Sequence, residues 1–489
     1  MDWRNLLILV RIDNMPTVLE LENCYSWLYT DDDNLRMRLW RALRFRERGY
    51  FHSRLYKQKV WDGYTEFFKK ETGRFLTGLL PEVLAALHVL KIDYEVVEHR
   101  NVLEFQHTNI DDQFLNRWLP EGDEPFNLYD YQVDLTNQII QHKRGVISSP
   151  TASGKTAIMI AILKALPPNC PTLVLANRKS LVQQNYEEIV KWGFEKVGRL
   201  YDKYKDPSII TCATVQSLHK MNKALPLVRA LIVDEIHENM SKRPRQHFNK
   251  LKACSVRVAV SATPFKFGGK DKCQKYSVKG YFGPIMESKS MKGILTTSKL
   301  QKRDILSKSV CTFYPILKPE IPYEVYLDAV TKGIAENWDF HDIVTRLADS
   351  LDGRTLILVD RIAHGDALAS MIPGSLWVQG KDTLDSRKYV IEKLTTADSK
   401  TVAIATQQIF NAGINVKTHN VINAAGGRAD HQIVQRIGRG LRTANDKEIL
   451  KYFDFLFKIN EYLESHSRKR IKILKEEGHD VIIKEGVDF

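Results

Sequence analysis

Gly145-Val-Ile-Ser148-Ser149-Pro-Thr-Ala-Ser153-Gly154-Lys155-Thr156-Ala-Ile-Met-Ile160 is the stretch that decides the fold. A short apolar run predicts a strand, the small residues that follow predict a tight turn, and Gly154-Lys155-Thr156 opens a predicted helix. That order aims backbone N–H groups and the positive end of a helix at one point, the arrangement that cradles phosphate. Ser153, Gly154, Lys155 and Thr156 are therefore the expected ATP contacts, with Lys155 on the β and γ phosphates and the Thr156 hydroxyl on Mg2+. Ser149 stands where the general pattern has Gly, and the turn asks only for a small residue there.

Downstream, the apolar run Leu231-Ile-Val233 ends in Asp234-Glu235-Ile-His237. Two carboxylates at the carboxyl end of a strand sit where ligands bind in open α/β sheets. Asp234 is the candidate metal ligand, acting through water, and Glu235 the candidate base that orients and deprotonates an attacking water. Such a pair also occurs as a solvated corner, and the catalytic reading rests on the phosphate loop that precedes it. Upstream, Gln132 in Tyr129-Asp-Tyr131-Gln132 offers an amide able to donate and accept, as the adenine edge requires.

Near the carboxyl end, Gln435-Arg436-Ile-Gly438-Arg439-Gly-Leu-Arg442 places Arg439 and Arg442 three apart on one face of a predicted helix. They are candidate catalytic cations, able to neutralise charge developing in phosphoryl transfer when a second unit closes on the first. The alternative is a basic helix face in water. Gly438 and Gly440 favour the catalytic reading, because such poor helix formers belong where backbones approach closely.

Between these segments, β-branched runs alternate with helical patterns, which predicts parallel sheets flanked by helices. The predicted strands are 145–148, 172–176, 208–212, 230–233 and 256–260, then 355–359, 375–378, 401–405 and 420–423. Two tandem α/β units follow, of which the first alone carries a phosphate loop. The expected boundaries are an α+β accessory domain over 1–105, a surface linker over 106–125, a first α/β domain over 126–305 and a second over 306–489. A strand at Leu6 to Val10, a charged helix through Arg36 to Arg48 and a terminal helix past Lys458 are also expected.

The chain has 489 residues, 43% of them hydrophobic, and a formal net charge of +13. That balance excludes extensive disorder and favours a polyanionic partner. No apolar run is long enough to cross a bilayer, so nucleic acid is expected rather than membrane. The front of the chain lacks a signal-peptide pattern, and a cytoplasmic protein is expected. Six scattered cysteines without a C-x-x-C pair indicate neither a zinc site nor a disulfide framework. In the amino-terminal region Arg36, Arg38, Arg41, Arg44, Arg46, Arg48, Arg54, Lys57 and Lys59 interleave with Trp40, Tyr50, Phe51, Tyr56 and Trp61. Cations neutralise phosphates and rings stack on unpaired bases, so Arg44, Arg48, Arg54, Lys57 and Trp61 are candidate nucleic-acid contacts. The other reading of this region is a core-forming domain with solvated charges.

Taken in order, these segments resemble the superfamily 2 helicases over roughly residues 126–445. The resemblance is carried by Gln132, by motif I at Ser149 to Thr156, motif Ia at Ala176-Asn177-Arg178 and Thr214-Val-Gln216-Ser217. Motif II at Asp234 to His237, motif III at Ser261-Ala262-Thr263, motif V at Thr406 and Gly413-Ile-Asn415, and motif VI at Gln435 to Arg442 complete it. It implies two tandem RecA-like domains, ATP and Mg2+ as cofactors, and a nucleotide-state relay through His237, Ser261, Thr263 and Gln435. It also implies a nucleotide contact at Gly413 and nucleic-acid contacts at Arg178, Thr214, Gln216 and Thr406. The chain departs from the commonest patterns at Asn415, where many relatives have Asp, and at Asn177-Arg178, which replaces a Pro-Thr pair.

Val60-Trp61-Asp62-Gly63, Gly73-Arg74-Phe75-Leu76 and Gly78-Leu79 further resemble the accessory domain of phage UvsW-type recombination helicases. This implies remodelling of branched or forked DNA by branch migration, fork regression or R-loop and D-loop unwinding, in the host cytoplasm if the chain is of phage origin. Three alternatives stay open at the level of sequence: a duplex translocase serving a nuclease partner, an RNA helicase, and a non-catalytic nucleic-acid-binding protein.

Overall fold

A computed structural model describes residues 16–119, 122, 124–238, 240–265, 271–321, 325–397, 399–407, 418–426 and 449–487. Its strands, in chain order, begin with β1 (Thr17–Leu21), β2 (Tyr25–Tyr29), β3 (Arg44–Arg46), β4 (Tyr64–Glu66), β5 (Arg74–Leu76) and β6 (Tyr94–Glu98). Next come β7 (Arg144–Ser148), β8 (Thr172–Ala176), β9 (Val197–Tyr201), β10 (Tyr204–Asp206), β11 (Ile210–Thr214), β12 (Ala230–Asp234) and β13 (Val256–Ser261). The last series is β14 (Lys308–Ile316), β15 (Arg354–Val359), β16 (Leu376–Val378), β17 (Thr401–Thr406), β18 (Asn420–Asn423), β19 (Ile449–Phe457) and β20 (Asp480–Ile483). The longer helices are α1 (Asp33–Ala42), α2 (Leu80–Val89), α3 (Asp130–His142), α4 (Lys155–Ala165), α5 (Lys179–Lys191) and α6 (Lys272–Phe282). They continue with α7 (Trp338–Ser350), α8 (Ile362–Met371), α9 (Leu384–Thr396) and α10 (Glu461–Glu476).

Three sheets carry the fold. Strands β5-β2-β1-β6 form a four-stranded sheet, β10-β9-β11-β8-β12-β13-β7 a seven-stranded one, and β16-β17-β15-β18-β19-β14-β20 another seven-stranded one. Every pairing in the last sheet is parallel, and in the middle sheet only β9 with β10 is antiparallel. The seven-stranded sheets are α/β of the RecA-like kind. Strands buried on both faces explain the continuous β-branched runs at β8, β12 and β13. Apart from the phosphate-loop residues 149–155, the chain divides at Ile294 into two compact units.

Two expectations change on inspection. The charged helix read through Arg48 stops at Ala42 and gives way to β3, whose alternating Arg44-Phe45-Arg46 puts Phe45 toward the packed side. The segment read as a surface linker is in part packed, with Ile110, Phe114 and Leu115 buried. Gln106 N donates to Ala165 O at 2.9 Å, and the Lys164 ammonium lies 4.9 Å from the Trp118 ring. Asp111, Asp112 and Glu124 of this segment are exposed. The expected strand at Leu6 to Val10 lies outside the described residues.

Within the first unit the accessory sheet is seated tightly on the seven-stranded sheet. A Cβ on Gly78 would lie 2.2 Å from the Lys279 carbonyl oxygen, so only glycine lets the two backbones meet there. Lys279 pairs with Glu82 at 2.7 Å, and the Phe45 ring meets Tyr276 at a tilt of 38°, with centroids 4.4 Å apart. Arg144, at the start of β7, donates to the Asn23 carbonyl, and Asn23 Nδ2 donates to Lys252 O at 3.1 Å. Burial and the neighbouring Arg257 push the Arg144 guanidinium down to about 9, which leaves it charged at neutral pH.

Candidate active site

Strands β7, β13 and β12 lie side by side, with Ser148 opposite Ser261 and Asp234 opposite Val260. Their carboxyl ends are level, so one edge of the sheet releases the phosphate loop, the Asp234-Glu235 turn and Ser261-Ala262-Thr263. This is the edge at which open α/β sheets bind ligands.

The loop is shaped by its own side chains. Ser153 Oγ donates to the Pro150 carbonyl at 2.6 Å and meets Ser149 Oγ, both side chains being buried. Ser149 therefore contributes a bond that glycine could not. Ala152 has φ +67° and Gly154 φ +77°, the left-handed backbone that turns N–H groups inward. Lys155 is the first residue of α4, whose residues from Ala157 to Ala165 are all buried, which anchors the positive end of the helix in the core.

Asp234 ends β12 and is buried. Glu235 follows with φ +49°, a conformation that costs a non-glycine residue free energy and is tolerated where surrounding bonds fix it. The bond that does so comes from Ser261, whose Oγ donates to Glu235 Oε2 at 2.7 Å. Ser261 Oγ also accepts from Thr263 N at 3.1 Å and lies 3.0 Å from His237 Nδ1. A hydroxyl has one proton to give and two lone pairs. With the proton on Glu235 and one lone pair on Thr263 N–H, the other lone pair requires His237 to carry its proton on Nδ1. The same Nδ1 lies 3.3 Å from Glu235 Oε2. Ser261 is thus the point where Glu235, His237 and Thr263 meet.

Gln132 is buried at the third position of α3, where its Oε1 accepts from Tyr129 N at 2.9 Å in a capping box. That bond holds the Gln132 side chain at the start of the helix. Among the described residues no three His, Cys, Asp or Glu side chains cluster as a metal site. The Thr156 hydroxyl and the Asp234 carboxylate suit a hard divalent cation whose remaining ligands are phosphate oxygens and water. Gly413, Gln435, Arg439 and Arg442 lie outside the described residues.

Of the candidate nucleic-acid contacts, Arg178 is the half-buried N-cap of α5, and Thr214 ends β11 with its hydroxyl 2.9 Å from Ser217 Oγ. Gln216 is exposed and donates to Asn177 Oδ1 at 2.8 Å. Thr406 ends β17, buried, opposite Val359. In the accessory domain the cations divide into two groups. Arg44 lies between Trp40 and Tyr64, 4.4 and 4.1 Å from their rings, and pairs with Asp62. Trp61 Nε1 donates to Tyr64 O at 2.7 Å. These two hold the domain together, whereas Arg48, Arg54 and Lys57 are exposed. Sequence reading missed the Ser149 hydroxyl, for which the serine spacing across the loop was a signal. The family resemblance placed Ser261 against the Asp234 segment, and the structure identifies Glu235 as the partner.

Residues 125–266 match the family described as type III restriction enzyme, res subunit. The chain is 23% identical over 384 residues to the ATP-dependent DNA helicase UvsW of Enterobacteria phage T4, covering 73% of each chain. The chain resembles the superfamily 2 helicases, UvsW among them. It is also 23% identical over 373 residues to the DNA 3'-5' translocase XPB2 of Sulfurisphaera tokodaii, covering 67% of this chain and 81% of that one. A fragment of a type I restriction enzyme HsdR subunit from Vibrio vulnificus YJ016 superposes with a TM-score of 0.54 at 16% identity, over 72% of this chain and 67% of the fragment. That likeness concerns the fold. UvsW is an ATP-dependent DNA helicase, and no helix among the described residues is long and apolar enough to cross a membrane.

Proposed function

We propose that the chain hydrolyses ATP with Mg2+ at the carboxyl edge of β7, β12 and β13 and uses the energy to remodel branched DNA. Lys155 and the loop amides hold the phosphates, and Thr156 and Asp234 hold the cation. Gln132 meets the adenine edge, Glu235 activates the water, and Arg439 and Arg442 supply the transition-state cations. His237, Ser261, Thr263 and Gln435 transmit the nucleotide state to a nucleic-acid track that includes Arg178, Thr214, Gln216 and Thr406. Residues 1–105 act as the accessory domain with Arg48, Arg54 and Lys57 facing DNA, residues 126–305 as the nucleotide domain and residues 306–489 as its carboxyl-terminal partner.

One observation carries this reading: a single hydroxyl, Ser261, saturates its bonding with Glu235, His237 and Thr263. A carboxylate held that way, at strained backbone, is set up as a base whose geometry depends on what motif III senses. The UvsW likeness supports DNA with branches as the substrate. The match to a restriction-enzyme subunit favours a second reading, a motor that moves along duplex without separating it.

The test is ATP turnover and strand displacement across duplex, single-stranded, forked, four-way-junction and RNA substrates. Branched DNA should stimulate most, with displacement. Duplex stimulation without displacement selects the translocase, and RNA preference selects the RNA helicase. Glu235→Gln should keep nucleotide binding while turnover falls about 10²- to 10⁴-fold, and normal turnover in that variant removes Glu235 as the base.

A further inference from the structure

The β9–β10 hairpin turns at Asp202-Lys203 on the carboxyl edge of the first seven-stranded sheet. Register places it there: Leu200 of β9 lies opposite Ala213 of β11, and Thr214 of β11 opposite Ala176 of β8. Three neighbouring strands thus end level at Ala176, Tyr201 and Thr214, and the residues after each project from one rim. Two of those loops carry candidate contacts already described, Arg178 and Gln216. The third is the hairpin turn.

Side-chain bonds tie the three loops together. Lys179, next to Arg178, pairs with Asp202 at 3.0 Å, and Gln216 donates to Asn177 at 2.8 Å. The hairpin itself is braced against α5. The Arg199 guanidinium sits between Tyr186 and Tyr204, 4.4 and 3.7 Å from their ring centres, and the Tyr201 hydroxyl bonds Gln183. A Cβ on Gly198 would lie 2.0 Å from the Asp206 carbonyl oxygen, so the returning strand is pressed onto the outgoing one. Asp202 takes the turn at φ +49°, which aspartate tolerates better than most residues.

This bracing holds Lys203 at the rim. Lys203 is exposed, and among the described residues it has no ion pair; its ammonium stands 5.5 Å from the Tyr204 ring. Asp202 is paired with Lys179, so the turn presents the Lys203 ammonium on a rigid support, in line with Arg178 along the rim. Phosphates spaced along one strand are the ligand such a row fits.

We propose that the Asp202-Lys203 turn is a backbone-contact site that extends the nucleic-acid track past Arg178 by binding the phosphodiester chain of one strand through Lys203. The inference rests on the reading of the protein as a nucleic-acid motor. Contact with phosphate alone makes it indifferent to base sequence.

The experiment compares full-length wild type, Lys203→Ala, Lys203→Gln and Lys203→Glu for binding a labelled single-stranded oligonucleotide and a labelled forked duplex, over a series of salt concentrations. Lys196→Ala is the control. Lys196 precedes β9 at the opposite end of the strand, where it bonds Asn169 Oδ1 at 2.9 Å, so it removes the same charge far from the rim. Melting temperatures verify folding. For Lys203→Ala and Lys203→Gln the slope of log affinity against log salt should fall by about 0.7 to 0.9, the value of one phosphate contact. The loss should be equal across oligonucleotide sequences and larger for Lys203→Glu, and Lys196→Ala should keep the wild-type slope. A wild-type slope in all three Lys203 variants overturns the inference and leaves the motor reading standing. An equal drop in Lys196→Ala also overturns it, since net charge would then be the cause. Absence of salt-dependent binding by the wild type overturns the motor reading itself.

Discussion

The two seven-stranded sheets share an architecture and put their polar groups in different places. In the first, the hydroxyl of Ser261 and the carboxylates of Asp234 and Glu235 gather at the rim, on backbone that is locally strained. In the second, the strongest polar network lies in the interior. Asp454 of β19 receives Arg470 of α10 through two bonds of 3.0 and 2.8 Å, Asn423 at 2.8 Å, Tyr452 at 3.1 Å and the Phe455 N–H at 2.6 Å. Arg470 also donates to the Gly426 carbonyl, where the chain leaves β18 toward motif VI. In the same unit His341 and His364 stack with centroids 4.7 Å apart, and neither ring nitrogen of His364 has a partner among the described residues. On the proposed function, one sheet spends polar chemistry on a reaction, and the other on holding itself in one arrangement.

If that contrast is right, the largest effect on folding should come from the interior network. Arg470→Met strands a buried carboxylate and should cost about 3–5 kcal/mol in urea unfolding of the second unit. Adding Asp454→Asn removes the stranded charge and should recover part of it. A loss below about 1 kcal/mol would mean that the network is incidental.

Acid should single out the second unit next. Burial, with His341 alongside, lowers His364 to about 3, and burial lowers His479 to about 4. Both fall below the usual histidine value of 6.5, so the folded state favours the neutral ring. Their contribution is complete above about pH 6.5 and is lost as pH falls toward the folded values. Between pH 7 and 5 the loss should be about 2 kcal/mol each. Chemical denaturation at the two pH values measures it, and His364→Phe should flatten the dependence. An unchanged slope in that variant would assign the acid sensitivity elsewhere.

The smallest effect belongs to the rim. Ala152→Gly accepts φ +67° more easily but gives the unfolded chain more freedom, so stability should move by less than about 1 kcal/mol. Ala152→Val forces a branched side chain into the same backbone and should cost about 1–2 kcal/mol while weakening ATP binding. Undiminished ATP affinity in Ala152→Val would show that the loop is looser than its serine bonds suggest.

What the sequence disclosed follows the same division. Runs such as Thr172 to Ala176 and Asn420 to Asn423 read as strands because a fully buried parallel strand needs unbroken apolar or β-branched residues. Strands β9, β14, β19 and β20 escaped notice. Val197-Gly-Arg-Leu-Tyr201 carries a charge and a glycine, Lys308 to Ile316 contains Pro315, and Ile449 to Phe457 holds Asp454. Asp454 looks out of place until its partner Arg470 is found 16 residues later, a pairing that no local pattern encodes. The phosphate loop and the acidic pair were legible because their chemistry demands contiguous residues. The contact of Ser261 with the Asp234 segment was legible only through the family resemblance, and its partner Glu235 was not, since the bond joins residues 26 apart across neighbouring strands. Gln132 was legible as a position, and its role in capping α3 became visible only with the helix start in view.

The close seat of Gly78 on the Lys279 backbone gives the accessory domain no room to swivel on the nucleotide lobe. Exposed Arg54 and Lys57 therefore stand at a constant offset from the rim at Arg178 and Lys203, like the two jaws of a calliper cut from one piece. A nucleic acid gripped at both ends would have its branch point measured against its tracked strand by the protein's own dimensions.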